Sequence, residues 1–269
     1  MIFDWLRERR RREILEDPFP EDWIPILERN MAHWAYLDDD EKSRLRDLLQ
    51  VFLSEKNWEG CGGLELDDEI RVTISAQACL LLLGHEDHDL YRRVKSILVY
   101  PSTVVTPSTP SQWLQSGSVA QEHIPISGQA MKGGPVLLVW DAVQQGGRHP
   151  ESGHNVVYHE FAHKLDMVDG LVDGTPPMET REQMQRWIEV CTREFAALQD
   201  RVERGKKTFL DKYGATNVAE FFAVGTEFFF DRPIDMQKKR PDLYEVLQDF
   251  YKQDTAARER RHREADRKG

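Results

Sequence analysis

The sequence predicts an α+β protein, mostly helical with a small mixed sheet. Three observations carry that reading. Apolar residues recur at helical spacing on both sides of residues 96–140, and two short β-rich runs, Ser96–Tyr100 and Val136–Trp140, fall between them. No internal repeat and no composition break divides the 269 residues.

The elements follow in order. Residues 1–17 read as an exposed charged helix that Phe3, Trp5 and Leu6 could dock and that Pro18 and Pro20 end. From Trp23 to Leu53, Ile26, Leu27, Leu45, Leu48, Leu49 and Phe52 keep helical spacing, with Asp38–Asp40 as a helix-start cluster. Asn57–Gly63 reads as a glycine-rich turn. Asp67 to Leu83 reads as a buried helix through Ile70, Ile74, Ala78, Leu81 and Leu82. Ser96–Tyr100 is a short strand. Residues 101–134, rich in Pro, Ser, Thr, Gln and Gly, suggest irregular hairpins anchored by Trp113, Val119 and Ile124, with a weak strand at His123–Ile126. Val136–Trp140 is a strand, Gly146–Gly153 a loop and Asn155–Val168 a helix. Glu179–Leu198 is a long amphipathic helix, Asn217–Phe230 a hydrophobic one and Pro241–Tyr251 a last short one. One domain over 21–254 is expected, between a charged arm at 1–20 and a charged tail at 255–269.

Charge narrows the function. Acidic side chains outnumber basic ones, 47 to 36, for a net −11, so the footprint of a nucleic-acid-binding domain is missing and no direct nucleic-acid partner is expected. Basic residues cluster locally, at Arg7 and Arg9–Arg12 and from Arg258 to Lys268, but acids interleave both runs. Solvated helix faces are the expectation, a docking arm for an acidic partner the alternative. Cys61, Cys79 and Cys191 form no C-x-x-C pair, which disfavours a disulfide framework and a thiolate zinc knuckle. The arginine-rich start lacks an apolar core segment, and the longest purely apolar run, Ala78 to Leu83, is far short of a membrane span. A reducing, cytoplasmic location without membrane association is the expectation.

One stretch stands above the background: Val156-Val-Tyr-His159-Glu160-Phe-Ala-His163, an H-E-x-x-H pattern on a predicted helix. Four residues turn a helix by about 400°, so both imidazoles leave one face a turn apart and can share one ion. Two neutral imidazoles with one more ligand suit a tetrahedral Zn²⁺ with an open fourth position. Glu160, about 100° round the helix from His159, is placed to act as general base on a water there. The third ligand is open at this point. Asp166 and Asp169 stand where a related motif carries glycine and histidine, and Asp169 is a competitor, although no sharp turn brings it back. Glu220 and Glu227, seven residues apart on the apolar helix, share a face, and a carboxylate among phenylalanines asks for a cation.

The runs Asn155-Val-Val-Tyr-His-Glu-Phe-Ala-His-Lys-Leu-Asp166, Tyr213-Gly-Ala-Thr-Asn-Val-Ala-Glu220-Phe-Phe-Ala-Val and Gly134-Pro-Val-Leu-Leu-Val-Trp140 resemble the Mlc titration factor A family of bacterial zinc peptidases. The resemblance runs from about Trp23 to Asp254. The two active-site blocks are also similar to the catalytic domain of anthrax lethal factor. The resemblance implies a zincin-like metallopeptidase core. It implies zinc held by His159, His163 and Glu220, Glu160 as base, and Tyr213 as a hydroxyl that steadies the oxyanion. One departure is Val224, where lethal factor has a further acid, so that acid's support must come from elsewhere, with Glu227 and Asp166 as candidates. The implied activity is hydrolysis of peptides, aminopeptidase action included, with the substrate adding along the edge strand Val136–Trp140. The implied partner is a sugar-uptake repressor of the Mlc type. The competing reading is a non-catalytic protein that sequesters such a regulator and uses zinc structurally. Glu160 argues against it, since a structural site has no need of a base.

Overall fold

A computed structural model describes residues 2–86, 89–102 and 134–268. The helices are α1 (Ile2–Glu16), α2 (Ile24–Asn30), α3 (Asp39–Glu55), α4 (Asp68–Leu80), α5 (Trp140–Arg148) and α6 (Val156–Asp166). They continue with α7 (Arg181–Glu203), α8 (Val218–Asp231), α9 (Pro233–Lys239), α10 (Pro241–Tyr251) and α11 (Thr255–Asp266). The strands are β1 (Asn57–Gly60), β2 (Ser96–Tyr100) and β3 (Val136–Val139), in the order β1-β2-β3.

Local chemistry sets most helix starts. Asp38 accepts from the Glu41 amide while Glu41 reaches back to Asp38, a capping box that opens α3, and Thr180 with Gln183 does the same for α7. Asp67 caps α4, in which every residue from Ile70 to Leu80 except Arg71 is buried. This helix is central, packing against α2, α3, α5 and α6. Around it Phe161 of α6 meets Tyr91 and Phe52 edge-on or tilted, with ring centroids 4.8 and 5.7 Å away.

The sheet differs from expectation. Among the described residues it is parallel throughout rather than mixed, because β1 pairs in parallel with β2 and β2 with β3. A crossover through α4 separates the first two strands, and such a connection returns the chain in the same direction. The hairpins expected within 101–134, with Trp113, Val119 and the run His123–Ile126, lie outside the described residues. The first strand occupies what the glycines of 57–63 suggested was a turn. Gly60 is needed there for close approach: a Cβ would stand 1.9 Å from the Leu64 carbonyl oxygen.

Helix α5 is the second difference. Trp140 ends no strand but opens this helix, and Gly146 and Gly147 lie inside it rather than in a loop. The glycines serve packing: a Cβ on Gly147 would come within 2.3 Å of the Asn30 carbonyl oxygen, and one on Gly146 within 2.9 Å of the Asn155 Cα. That contact lets α5 touch the entry to α6.

The termini pack through their charges. Trp5 and Leu6 of α1 are exposed, contrary to the docking expected of them, and the side chain of Phe3 lies outside the described residues. Arg11 docks the helix instead, bonded to Glu55 at 2.7 Å and Asp89 at 2.9 Å. At the other end the first turn of α11 is buried at Thr255, Ala256 and Arg258, whose guanidinium meets Glu41 of α3 at 2.6 Å. Among the described residues no helix is long and apolar enough to cross a membrane.

Candidate metal centre

The site forms where α6 packs on α8. Asn155 caps α6 by accepting from the Val157 and Tyr158 amides, both at 3.0 Å, and its Nδ2 donates to Gln77 Oε1 of α4 at 2.9 Å. The helix entry is thereby fixed to the central helix. Asn217 caps α8 by accepting from the Glu220 amide. Glu220 thus lies in the first turn of a helix, where the positive end of the macrodipole favours a carboxylate.

His159, His163 and Glu220 are all buried and offer their donor atoms to one point. His159 Nε2 lies 3.0 Å from Glu220 Oε2, His163 Nε2 3.5 Å from Glu220 Oε1, and the two Nε2 atoms are 3.3 Å apart. Ligands bound tetrahedrally at about 2.0–2.1 Å stand about 3.3–3.4 Å from one another. The three separations therefore bracket what one such ion requires. The donor set also suits a cation electrically. Burial alone would lower the His159 pKa, but bonds to Glu220 and Glu227 override it and push the ring up to about 10. A metal at Nε2 would take the place of that proton.

A carboxylate behind the site holds His159. Glu227 Oε1 accepts from Nδ1 at 2.7 Å, while Oε2 accepts from the Asn155 amide, also at 2.7 Å. The carboxylate holds a proton on Nδ1, so that an ion at Nε2 would displace only the proton on that side. Tyr213 stands beside the same ring, centroids 6.0 Å apart, on a short 3-10 helix (Lys212–Ala215) capped by Asp211. Burial, with Glu220 and Glu160 facing it, raises the phenol's pKa and keeps it a proton donor. Glu160 is half-buried, and its charge is felt at His159, Tyr213 and Lys164.

The sequence model of the glucose-regulated metallo-peptidase M90 family matches residues 5–252. The chain belongs to this family. It is 34% identical over 246 residues to Mlc titration factor A of Serratia proteamaculans, a match covering 87% of this chain and 86% of that protein. Mlc titration factor A of Escherichia fergusonii is 33% identical over 245 residues, covering 89% and 86%. The uncharacterized Synechocystis protein slr2042 is 35% identical over 250 residues, covering 92% and 88%.

In this M90 chain α6 and α8 bring together His159, His163 and Glu220, with Tyr213 beside them. Asp169 is not among them: it is exposed and accepts from the Leu171 amide at 2.8 Å, in the turn that follows α6. Asp166 is buried past the second histidine, accepting from the Gly174 and Thr175 amides, and burial pushes its pKa up to about 6. Its task is to hold the loop that leaves α6. Val224 is buried and faces Gly214 in the Tyr213 segment, so the place of lethal factor's acid is apolar here. What the sequence alone did not single out is Asn155. Its signal was ordinary, an Asn directly before a helical run, and its ties to Gln77 and Glu227 needed the tertiary fold.

Proposed function

We propose that this M90 chain is a zinc-dependent peptidase on a zincin-like core. His159, His163 and Glu220 are the zinc ligands, Glu160 the general base and Tyr213 an oxyanion donor. The observation that carries the reading is the set of separations, 3.0, 3.3 and 3.5 Å, among three buried donor atoms. Zinc, when bound, supplies the Lewis acidity that makes a water nucleophilic near neutral pH.

The remaining work falls to side chains. Glu160 takes the proton from the attacking water as the new C–O bond forms, then gives it to the departing amine as the C–N bond breaks. The Tyr213 phenol, kept protonated by its surroundings, donates to the developing oxyanion. Glu227 holds the His159 ring in one tautomer throughout. Among the described residues β3 is an edge of the sheet and packs against α6, and its main chain offers an extended peptide a strand to pair with. Attack at a peptide's first bond would be aminopeptidase action, and a peptide panel with free and blocked amino termini separates it from internal cleavage.

A second reading draws on the relatives' name. Mlc titration factor A names a protein that titrates a repressor, and this chain would then sequester an Mlc-like regulator with zinc as a structural element. Glu160→Gln decides between the two. It should keep metal and fold yet lose hydrolysis by several orders of magnitude. Unchanged hydrolysis in a rigorously purified variant would sink the catalytic reading, and full repressor binding by an inactive wild type would favour the second.

A further inference from the structure

The basic runs at the two ends are largely engaged by the chain's own acids. Arg7 and Arg11 meet Asp89, Arg9 meets Glu13, Arg258 meets Glu41 and Arg263 meets Glu259. A second basic region is paired only in part: Arg204 meets Asp200, Arg232 and Lys239 meet Asp235, and Arg240 meets Glu194. Residues 201–212 and 232–240 carry nine basic side chains against three acidic ones, within a chain of net charge −11. The two segments meet around one ring: Lys239 Nζ lies 4.7 Å from the Phe209 centroid, and the Arg232 guanidinium 5.5 Å from it on α9's side. The loop 205–212 borders an open surface depression of about 530 Å³, lined by Lys206, Lys207, Lys212, Phe209 and Phe228 together with the carboxylate of Asp211. Those three lysines are exposed, and among the described residues they form no ion pair. The loop is fixed, since the Lys206 amide donates to the Arg201 carbonyl and the Arg201 side chain to the Lys207 carbonyl.

We propose that this lysine-lined, phenylalanine-floored pocket is a docking site for an acidic segment of a polypeptide partner. Carboxylates would meet Lys206, Lys207 and Lys212, and an apolar side chain would lie on the floor. Charge complementarity commits the site to an acidic occupant, and the apolar lining favours a peptide, which can bring an apolar side chain to it, over a polyphosphate backbone, which cannot. Asp211 at the end of the loop caps Tyr213 at 2.8 Å and faces His154, the residue before the α6 cap, at 3.8 Å. A segment docked here lies next to the short helix that carries Tyr213 and to the turn that enters α6.

The test reads binding alone, on the full chain carrying Glu160→Gln, so that hydrolysis or its lack does not enter. A fluorescein-labelled Glu-rich peptide bearing one phenylalanine is titrated by anisotropy, with its Gln-for-Glu counterpart and an oligonucleotide of matched charge. Lys206→Glu/Lys207→Glu/Lys212→Glu should weaken the acidic peptide at least about tenfold, and the Lys→Gln version by an intermediate amount, with melting temperature and zinc content held. Arg260→Glu/Arg267→Glu in the C-terminal run should leave it unchanged. Equal binding by wild type and the triple reversal overturns the proposal. So does equal binding of the Gln peptide, or tighter binding of the oligonucleotide through the same lysines.

Discussion

Glu227 presents two oxygens to two donors, the His159 ring and the Asn155 amide, at 2.7 Å each. A glutamine has one acceptor and one amino group, so Glu227→Gln can satisfy only one of them and sets donor against donor at the other. Metal affinity, measured by competition with a chromophoric chelator, should fall about 10–100-fold in this variant. Tyr213→Phe removes one hydroxyl and nothing that binds metal. It should lower turnover by about 10²–10³ while metal affinity and melting temperature hold. Unchanged turnover would leave Tyr213 a packing residue only. The histidine pair was legible from spacing alone, because one helix fixes the relation of the two rings. From the residues alone Glu220 and Glu227 were legible only as a same-face pair, and it was the family resemblance that singled out Glu220 as a ligand. Which of them points at Nε2 and which at Nδ1 depends on the register of α8 against α6, and no local pattern records that.

The long helices announced themselves through periodicity and, for α3, the acidic start Asp38–Asp40; the caps at Asp67, Asn155, Thr180 and Asn217 emerged with the structure. The elements that escaped have physical reasons. Strand β1 spans four residues with one large apolar side chain, Trp58, too few for alternation to show. Helix α5 was masked by Gly146-Gly147, which read as a breaker yet serves close packing. Gly147→Ala should therefore destabilise despite the better helix propensity of alanine. The added Cβ meets the Asn30 carbonyl oxygen and the Gln77 amide, 2.3 and 2.7 Å away, groups without room to retreat. Overpacking of about 1–3 kcal/mol exceeds the roughly 1 kcal/mol that propensity returns. Urea unfolding should show a net loss, and a gain would mean that α5 shifts easily.

Across the whole molecule, His33 joins the segment after α2 to α6 and α8. Its Nε2 donates to the Phe230 carbonyl at 2.9 Å and its Nδ1 accepts from the Tyr158 hydroxyl at 3.2 Å. Burial lowers its pKa from 6.5 to about 4. Above pH 6.5 neither the folded nor the unfolded chain protonates the ring, and the contribution is complete. As pH falls from 6.5 to about 4 the unfolded chain takes up a proton that the folded one refuses, and about 3 kcal/mol of stability is lost. His33→Gln keeps a donor and an acceptor but does not titrate. Its unfolding free energy should drop less than the wild type's between pH 7 and 4.5, and equal drops would mean that His33 takes no part. The fold class was legible at this scale, but the parallel sense of the sheet was not, because strand direction is set by crossovers rather than by the strands' own residues.

The lysine loop lies on the stretch of chain between His163 and Glu220, and that placement has a consequence of its own. An ion gripped by α6 on one side and α8 on the other closes the intervening chain into a ring, much as a covalent cross-link would. The exposed bond between Lys206 and Lys207 sits on this ring, where trypsin cuts on the carboxyl side of Lys206. Trypsin cutting beside Lys206 should therefore leave two pieces that migrate as one native particle while the ion is in place. A strong chelator should then lower the thermal midpoint of the nicked particle by more than it lowers that of the intact chain. Equal lowering would mean that helix packing alone holds the halves together and that the ion adds no tether.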